Sequence, residues 1–241
     1  MDLGISGRVA LVTASSKGLG RASALALADE GCKVVVCARG EEALRATEKE
    51  LADRTEVLAL VDDVTEPEAP RRLVEATVEH FGSVDIVVPN AGGPPPARAL
   101  EFDDRQLATA LNANLTTSIR LAREAVAHMR ASRWGRICCI TSSSVKQPIP
   151  TLAMSNVART ALWAWIKTAA QELFADGITV NTACPGSHAT DRMKELGGGN
   201  TEGMGNPADF GRVVAFLCSQ PTNFVTGVAL QVDGGATLGL L

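Results

Sequence analysis

Tyrosine is absent from this chain, and other aromatic residues are scarce. The 241 residues include three tryptophans and six phenylalanines, so aromatic side chains make up only 4% of the sequence. No apolar run approaches the roughly 20 residues that a membrane-spanning helix needs. The early apolar run Val9–Val12 is also too short for a signal peptide. We therefore expect a cytoplasmic protein without a membrane partner.

An excess of positive charge and a metal-binding cysteine pattern are also missing. The formal net charge is −4, which argues against nucleic acid as a partner. The six cysteines are scattered through apolar stretches, and no two of them have the spacing of metal ligands. We therefore predict buried free thiols in a reducing compartment and no metal site.

The sequence does contain a regular alternation of short apolar runs with longer helical patterns. Such alternation is typical of an α/β protein in which helices cover both faces of a parallel sheet. No linker or repeat divides the chain, so we predict a single domain over residues 1–241 with a Rossmann-type, doubly wound sheet of about seven strands. The predicted strands are Arg8–Thr13, Lys33–Ala38, Val57–Val61, Asp85–Val88, Arg136–Thr141, Thr179–Ala183 and Val228–Val232. The predicted helices are Gly18–Glu30, Glu41–Ala52, Glu66–Phe81, Asp103–Ala131, Leu152–Ala175 and Pro207–Leu217.

The first predicted strand leads directly into a turn of mostly small residues and then into a helix. Small side chains allow the backbone to approach a pyrophosphate, and the helix that follows presents free N–H groups and the positive end of its dipole. This context predicts a dinucleotide-binding site. The residues of the turn are Thr13, Ala14, Ser15, Ser16, Lys17, Gly18, Leu19 and Gly20.

Four further motifs follow along the chain. They are Asp63-Val64, Pro89-Asn90-Ala91-Gly92, Pro185-Gly186-Ser187-His188-Ala189-Thr190, and a closing segment from Gly227 to Val232-Asp233-Gly234-Gly235. With the first turn, these motifs make the whole chain resemble the short-chain dehydrogenase/reductase family, and in particular its 3-oxoacyl-carrier-protein reductases. The chain departs from the family pattern at Ala14, which replaces a glycine, and at Pro89, which replaces an asparagine.

The resemblance implies that these motifs together hold a nicotinamide dinucleotide. Besides the first turn, the residues expected to line it are Asp63 and Val64 at the adenine, Asn90, Ala91 and Gly92 beside the turn, and Pro185, Gly186 and Thr190 at the nicotinamide.

The residue after the second predicted strand indicates which dinucleotide binds. Enzymes that use NAD commonly place an acidic residue there, which accepts a hydrogen bond from the ribose 2′-hydroxyl. This chain has Arg39 at that position and Lys17 in the first turn. Two cations suit a 2′-phosphate, so we expect NADP(H) rather than NAD(H).

The catalytic positions of the resembled family are only partly preserved. The family uses an asparagine, a serine, a tyrosine and a lysine, and the corresponding residues here are Asn114, Ser142, Ser155 and Arg159. Positions 155 and 159 are four residues apart and therefore share one helical face. The resemblance implies that Arg159 holds the nicotinamide ribose, and its charge also suits an anionic substrate.

Neither replacement supplies the proton that reduction of a ketone requires. A nearby ammonium group can draw the pKa of a tyrosine phenol toward neutrality. An aliphatic hydroxyl does not ionise at physiological pH, and a guanidinium keeps its proton. Two substitutes remain open, namely Lys146, four residues after Ser142, and His188, in the loop that faces the nicotinamide.

Residues 187–206 correspond to the substrate lid of the resembled family. The segment is short and contains Gly197-Gly198-Gly199, so we expect it to be mobile. The resemblance also implies a homotetramer or homodimer, in which Trp163 and Trp165 lie on the helix that the family uses for its interface.

Two functions are compatible with these residues. The first is an NADP(H)-dependent oxidoreductase that acts on a carbonyl or enoyl, 3-oxoacyl-like small molecule with a non-standard proton donor. The alternative is a catalytically impaired nucleotide-binding or scaffolding member of the same family.

Overall fold

A computed structural model describes residues 1–197 and 202–240 of the chain. The strands are β1 (Val9–Thr13), β2 (Lys33–Ala38), β3 (Val57–Val61), β4 (Ile86–Val88), β5 (Gly135–Ile140), β6 (Ile178–Pro185) and β7 (Ala229–Val232). The helices are α1 (Gly18–Asp29), α2 (Glu41–Ala52), α3 (Ala69–Phe81), α4 (Asp104–Leu111), α5 (Thr117–Ser132), α6 (Ala153–Leu173), α7 (Asp191–Glu195) and α8 (Pro207–Leu217).

The seven strands form one parallel sheet in the order β3-β2-β1-β4-β5-β6-β7. The doubly wound α/β fold predicted from the sequence is therefore confirmed. No helix in the described parts of the chain is long and apolar enough to cross a bilayer.

The sheet separates two apolar layers, because alternate side chains of each central strand point to opposite faces. In β1, Ala10 and Val12 pack in the layer that includes α1 and α8, whereas Leu11 packs in the layer formed by α3, α5 and α6. Helices α1 and α8 approach closely at Gly211, where a Cβ atom would lie 2.2 Å from the Ala22 carbonyl oxygen. Burial on both faces explains why the central strands appear as continuous apolar runs in the sequence.

Most element boundaries agree with the sequence prediction to within two residues. Helix α3 is an exception, since it begins at Ala69 rather than at Glu66. Pro70 lies in its first turn, where the missing N–H group of proline breaks no intrahelical hydrogen bond. The short helix α7 was not predicted, because five residues carry too little periodicity to show in a sequence.

The long helix predicted over Asp103–Ala131 is interrupted, and that prediction was wrong in this respect. Between α4 and α5 the backbone forms a π-helical turn over Asn112–Thr116, and the Thr117 hydroxyl donates a hydrogen bond of 2.8 Å to the Asn112 carbonyl oxygen. Such turns occur frequently at functional sites, because the wider turn changes the direction of a side chain. Here the turn carries Asn114.

All six cysteines are buried free thiols, as predicted from the sequence. Burial raises the pKa of Cys32 and of Cys37 to about 12, and it raises the pKa of Cys139 well above its usual range. These thiols therefore remain protonated near neutral pH, and a protonated thiol is a poor nucleophile.

We predict that a thiol-specific disulfide reagent labels the native protein slowly at mildly alkaline pH and labels all six cysteines after unfolding. The measurement is the rate at which the reagent releases its own thiol, with and without denaturant. A native thiol that reacts as fast as a small free thiol would contradict the burial described above.

Candidate cofactor and substrate site

The candidate site lies at the carboxyl ends of the strands, where the winding of the sheet reverses. Strands β1 and β4 are neighbours, and the chain continues from them outward in opposite directions, to β2 and β3 on one side and to β5, β6 and β7 on the other. Ligands of doubly wound sheets bind in the crevice at such a point. The cofactor motifs identified in the sequence follow these strand ends.

The ends of β1 and β4 are joined through one buried hydroxyl. Thr13 is fully buried, and its hydroxyl donates to the Asn90 carbonyl oxygen over 2.8 Å and accepts from the Asn90 N–H over 2.9 Å. The Asn90 side-chain amide donates to the Ala14 carbonyl oxygen over 3.2 Å. These bonds fix the first turn against the segment that follows β4, so the structure brings two of the predicted cofactor motifs together.

The first turn keeps a glycine-like conformation although it contains Ala14. The φ angle of Ala14 is 47°, in the left-handed region where a methyl group is unfavourable. A Cβ atom at Gly20 would lie 2.5 Å from the Ala14 carbonyl oxygen, so only glycine fits there. The alanine is therefore held in a strained conformation, and the turn retains its shape.

The start of α1 fits the pyrophosphate of a dinucleotide. Lys17 occupies the N-cap position, and its side chain makes no capping hydrogen bond. The first N–H groups of α1 have no intrahelical acceptor and are available to an anion. The Ser15 hydroxyl accepts from the Cys37 N–H over 3.1 Å, which holds the turn next to the end of β2.

Arg39 and Asp63 lie together at the adenosine end of the crevice. The Arg39 side chain is 78% exposed, and its Nη1 atom lies 3.6 Å from Oδ2 of Asp63. Burial acts to raise the pKa of Asp63, but hydrogen bonds from the Thr65 N–H and hydroxyl and the charge of Arg39 outweigh burial, so the pKa is lowered. Asp63 is therefore ionised, and most of the Arg39 guanidinium remains accessible. Val64, the residue after Asp63, is buried.

The segment after β6 returns to the first turn. The Gly186 N–H donates to the Val232 carbonyl oxygen over 3.0 Å, and a Cβ atom at Gly186 would lie 2.7 Å from that of Asp233. Thr190 approaches the first turn, since a Cβ atom at Gly18 would lie 3.8 Å from its methyl group. Pro185, Gly186 and Thr190 therefore border the same crevice as the first turn.

Asn114 and Ser142 present free hydrogen-bonding atoms near the ends of β4 and β5. The Asn114 amide donates to the Gly92 carbonyl oxygen over 3.3 Å, while its buried Oδ1 atom has no hydrogen-bond partner among the described residues. The Ser142 hydroxyl oxygen accepts from the Ser144 N–H over 3.1 Å, which leaves its proton available for donation. Both side chains are able to bind a ligand.

Arg159 is a buried cation on α6, one helical turn after the buried Ser155. Its side chain is only 8% exposed, and Nη1 donates to the Ile140 carbonyl oxygen at the end of β5 over 2.9 Å. Burial, and after it the charge of Arg192, lower the pKa of Arg159 to about 10, so the guanidinium is still charged at physiological pH. Among residues 1–197 and 202–240, no carboxylate forms an ion pair with it.

The two proton-donor candidates have different surroundings. The Lys146 ammonium lies 4.0 Å from the centre of the Trp163 ring on α6, and the residue is half-buried. His188 is 4% exposed and packs edge-on against Phe210, with its Nδ1 atom 3.2 Å from the Gly186 carbonyl oxygen. His188 is therefore a packed side chain beneath its loop, whereas Lys146 is partly exposed to solvent.

Arg192 is a site residue that sequence reasoning did not identify. Its Nη2 atom donates to the Pro94 carbonyl oxygen over 2.6 Å, so α7 is attached across the crevice to the proline-rich segment after β4. No motif or spacing marks this residue, because the contact joins segments 98 residues apart. The predicted lid 187–206 includes α7, whereas residues 198–201 lie outside the described part of the chain.

Known proteins resemble this chain over nearly its whole length. The family model for enoyl-(acyl carrier protein) reductase matches residues 13–237. The chain belongs to the short-chain dehydrogenase/reductase family. The 3-oxoacyl-[acyl-carrier-protein] reductase FabG of Vibrio cholerae is 32% identical to it over 97% of this chain and 98% of the relative. The 3-oxoacyl-[acyl-carrier-protein] reductase MabA of Mycobacterium tuberculosis is 30% identical over 96% of this chain and 94% of the relative.

A solved structure also resembles this chain over its whole length. The L-sorbose reductase of Gluconobacter frateurii, in complex with NADPH and L-sorbose, has a TM-score of 0.93 at 32% identity, with all of both chains covered. The relatives named here are reductases, which supports an oxidoreductase activity for this short-chain dehydrogenase/reductase.

We predict that Thr13→Val destabilises the protein, because the Asn90 N–H and carbonyl group would both lose their partner while the side-chain volume hardly changes. The expected loss is about 2 kcal/mol or more in the free energy of unfolding, measured by urea denaturation. Thr168→Val is the matched control, since that exposed hydroxyl bonds only to the Ala164 carbonyl oxygen of its own helix. Equal losses in the two variants would contradict the role of Thr13.

Proposed function

We propose that the protein is an NADP(H)-dependent reductase of a carbonyl or enoyl, 3-oxoacyl-like small molecule, and that it works without a tyrosine acid. The observation that carries this proposal is the position of two features at the same edge of the sheet. A well-formed dinucleotide turn follows β1, and at the end of β5 lies a buried guanidinium that pairs with no carboxylate among the described residues. The 3-oxoacyl reductase relatives and the sorbose reductase solved with NADPH support it.

The residues that would hold the dinucleotide fit its chemistry. The uncapped start of α1 suits the pyrophosphate, and Arg39 with Lys17 suits a 2′-phosphate. When bound, NADPH supplies a hydride. The rest of the chemistry falls to the side chains of this chain.

We propose that Arg159 stabilises the negative charge that develops on the substrate during reduction. Addition of a hydride to a polarised double bond places negative charge on the substrate oxygen. A buried guanidinium stabilises that charge more strongly than an exposed one, because little water screens it. The free O–H of Ser142 can donate to the same oxygen, and Asn114 Oδ1 can accept from a bound water or hydroxyl group.

Lys146 is the side chain that we propose as proton donor. Its ammonium has protons to give and packs on Trp163, one turn beyond Arg159 on α6. General acids typically contribute about 10²–10⁴-fold to a rate. Ser155 supplies no acid, because its aliphatic hydroxyl does not ionise near neutral pH.

The scaffolding alternative predicts no turnover and is distinguished by assay. We predict that a panel of carbonyl and enoyl substrates contains at least one that the protein reduces, as followed by NADPH oxidation. The double variant Ser155→Tyr/Arg159→Lys should then lose activity about 10²-fold, because it adds a bulky ring at a buried position and removes the guanidinium. A silent parent whose double variant becomes active would overturn the proposal and support an impaired site.

We predict that Arg39→Asp weakens NADPH binding about 10–100-fold, because charge-assisted bonds to a 2′-phosphate are lost. Binding of NADH should weaken much less, since a carboxylate can accept from a free 2′-hydroxyl. Calorimetric titration gives both constants. Arg212→Asp is the control, because Arg212 is 75% exposed, like Arg39, and lies on α8. Equal weakening of NADPH and NADH in Arg39→Asp would contradict the assignment.

A further inference from the structure

Three cations lie near the ends of the strands on the substrate side, and few anions balance their charge among the described residues. Lys146 and Arg159 form no ion pair with any carboxylate in the described ranges of the chain. Arg192 has only Glu195, at 3.4 Å, on the same short helix. The protein as a whole carries net negative charge, so this local excess of positive charge runs against its composition.

Arg159 is the most deeply buried of the three cations. A buried guanidinium without a carboxylate loses hydration that one carbonyl oxygen does not replace. Most of its five N–H donors remain without a partner in the described structure. Such a group is usually balanced by an anion, and the described residues supply none.

Arg192 is placed to meet a ligand that enters from solvent. Its side chain is 33% exposed, and the Pro94 carbonyl oxygen fixes the guanidinium against Gly93 at the edge of the crevice. The contacts to Pro94 and Glu195 use two of its five donors, so a planar fork is left for a carboxylate.

The three cations share one region. The charge of Arg192 reaches Arg159, where it adds to the effect of burial in lowering the pKa. Burial raises the pKa of the Cys184 thiol at the end of β6, and hydrogen bonds from Thr141 and Thr182 and the charge of Lys146 act against that rise. Arg192 is held to the segment after β4, Arg159 to the end of β5, and Lys146 lies near the end of β6, so all three cations lie at the same edge of the sheet.

We propose that the substrate is an organic acid, whose carboxylate is bound by Arg192 while its reducible carbonyl or enoyl group lies against Arg159 and Ser142. The carboxylate supplies the negative charge that the described residues do not place beside Arg159. Only the reducible group rests on the proposed function, whereas the binding of an acid does not.

The reaction of such an acid balances. The electrophilic carbon accepts one hydride from NADPH, and the oxygen or the neighbouring carbon accepts one proton, from Lys146 or from water. An oxo acid then gives a hydroxy acid and an enoic acid gives a saturated acid, and NADP⁺ is the second product.

Calorimetric titration of the protein in complex with NADP⁺ tests this inference without requiring turnover. The probes are pyruvate, acetoacetate and crotonate, each compared with its methyl ester. We expect at least one acid to bind about tenfold or more tightly than its ester, and Arg192→Gln to remove that preference. Lys194→Gln is the matched control, because Lys194 lies on the same helix and bonds to Asp191 at its exposed surface.

Each remaining outcome of the titrations either overturns the inference or retains it. Esters that bind as well as their acids, or a protein that binds NADP⁺ but none of the acids, would overturn the inference. So would Arg192→Gln weakening NADP⁺ as much as it weakens the acid, since Arg192 would then serve the pyrophosphate. Acid binding without NADPH oxidation of any substrate would retain this inference and contradict the proposed function.

Discussion

The hydrogen bond between the Arg159 guanidinium and the Ile140 carbonyl oxygen links the sheet to the chemistry of this protein. It joins α6 to the end of β5, directly before Ser142, and it leaves a positive charge in the interior. A buried cation is costly unless something balances it. Arg192 and Lys146 add to the positive charge near Arg159, and the only ion pair that any of the three makes in the described part of the chain is that of Arg192 with Glu195.

The cofactor half of the crevice follows the family pattern more closely than the catalytic half does. In the cofactor half, Thr13 still joins β1 to the segment after β4, and Ala14 adopts the left-handed conformation that the turn needs. In the catalytic half, the family pattern leads one to expect an acidic phenol and an ammonium group. This chain has the non-acidic hydroxyl of Ser155 and the permanent cation of Arg159 at those positions. This contrast supports the proposed modified reaction rather than a loss of cofactor binding.

Much of the fold could be predicted from the sequence, because buried parallel strands leave long apolar runs and the first turn has a fixed order of small residues. The shared face of Ser155 and Arg159 also followed from their spacing. The π-helical turn at Asn114 could not be predicted, since its residues suit an α-helix equally well. The position of Arg192 depends on packing between distant segments, and so does the burial of His188 against Phe210.

The most direct test of this account is the stability of Arg159→Met in the absence of ligands. Burial lowers the pKa of Arg159 to about 10, so the folded protein disfavours the charged form. Replacing a buried, poorly balanced charge by an apolar side chain of similar volume is often neutral or stabilising. Urea denaturation should therefore show the neutral variant to be at least as stable as the parent, with its binding of reducible acids weakened. A variant that is less stable by about 2 kcal/mol would instead show that Arg159 is retained for the fold, and it would contradict a charge held for function.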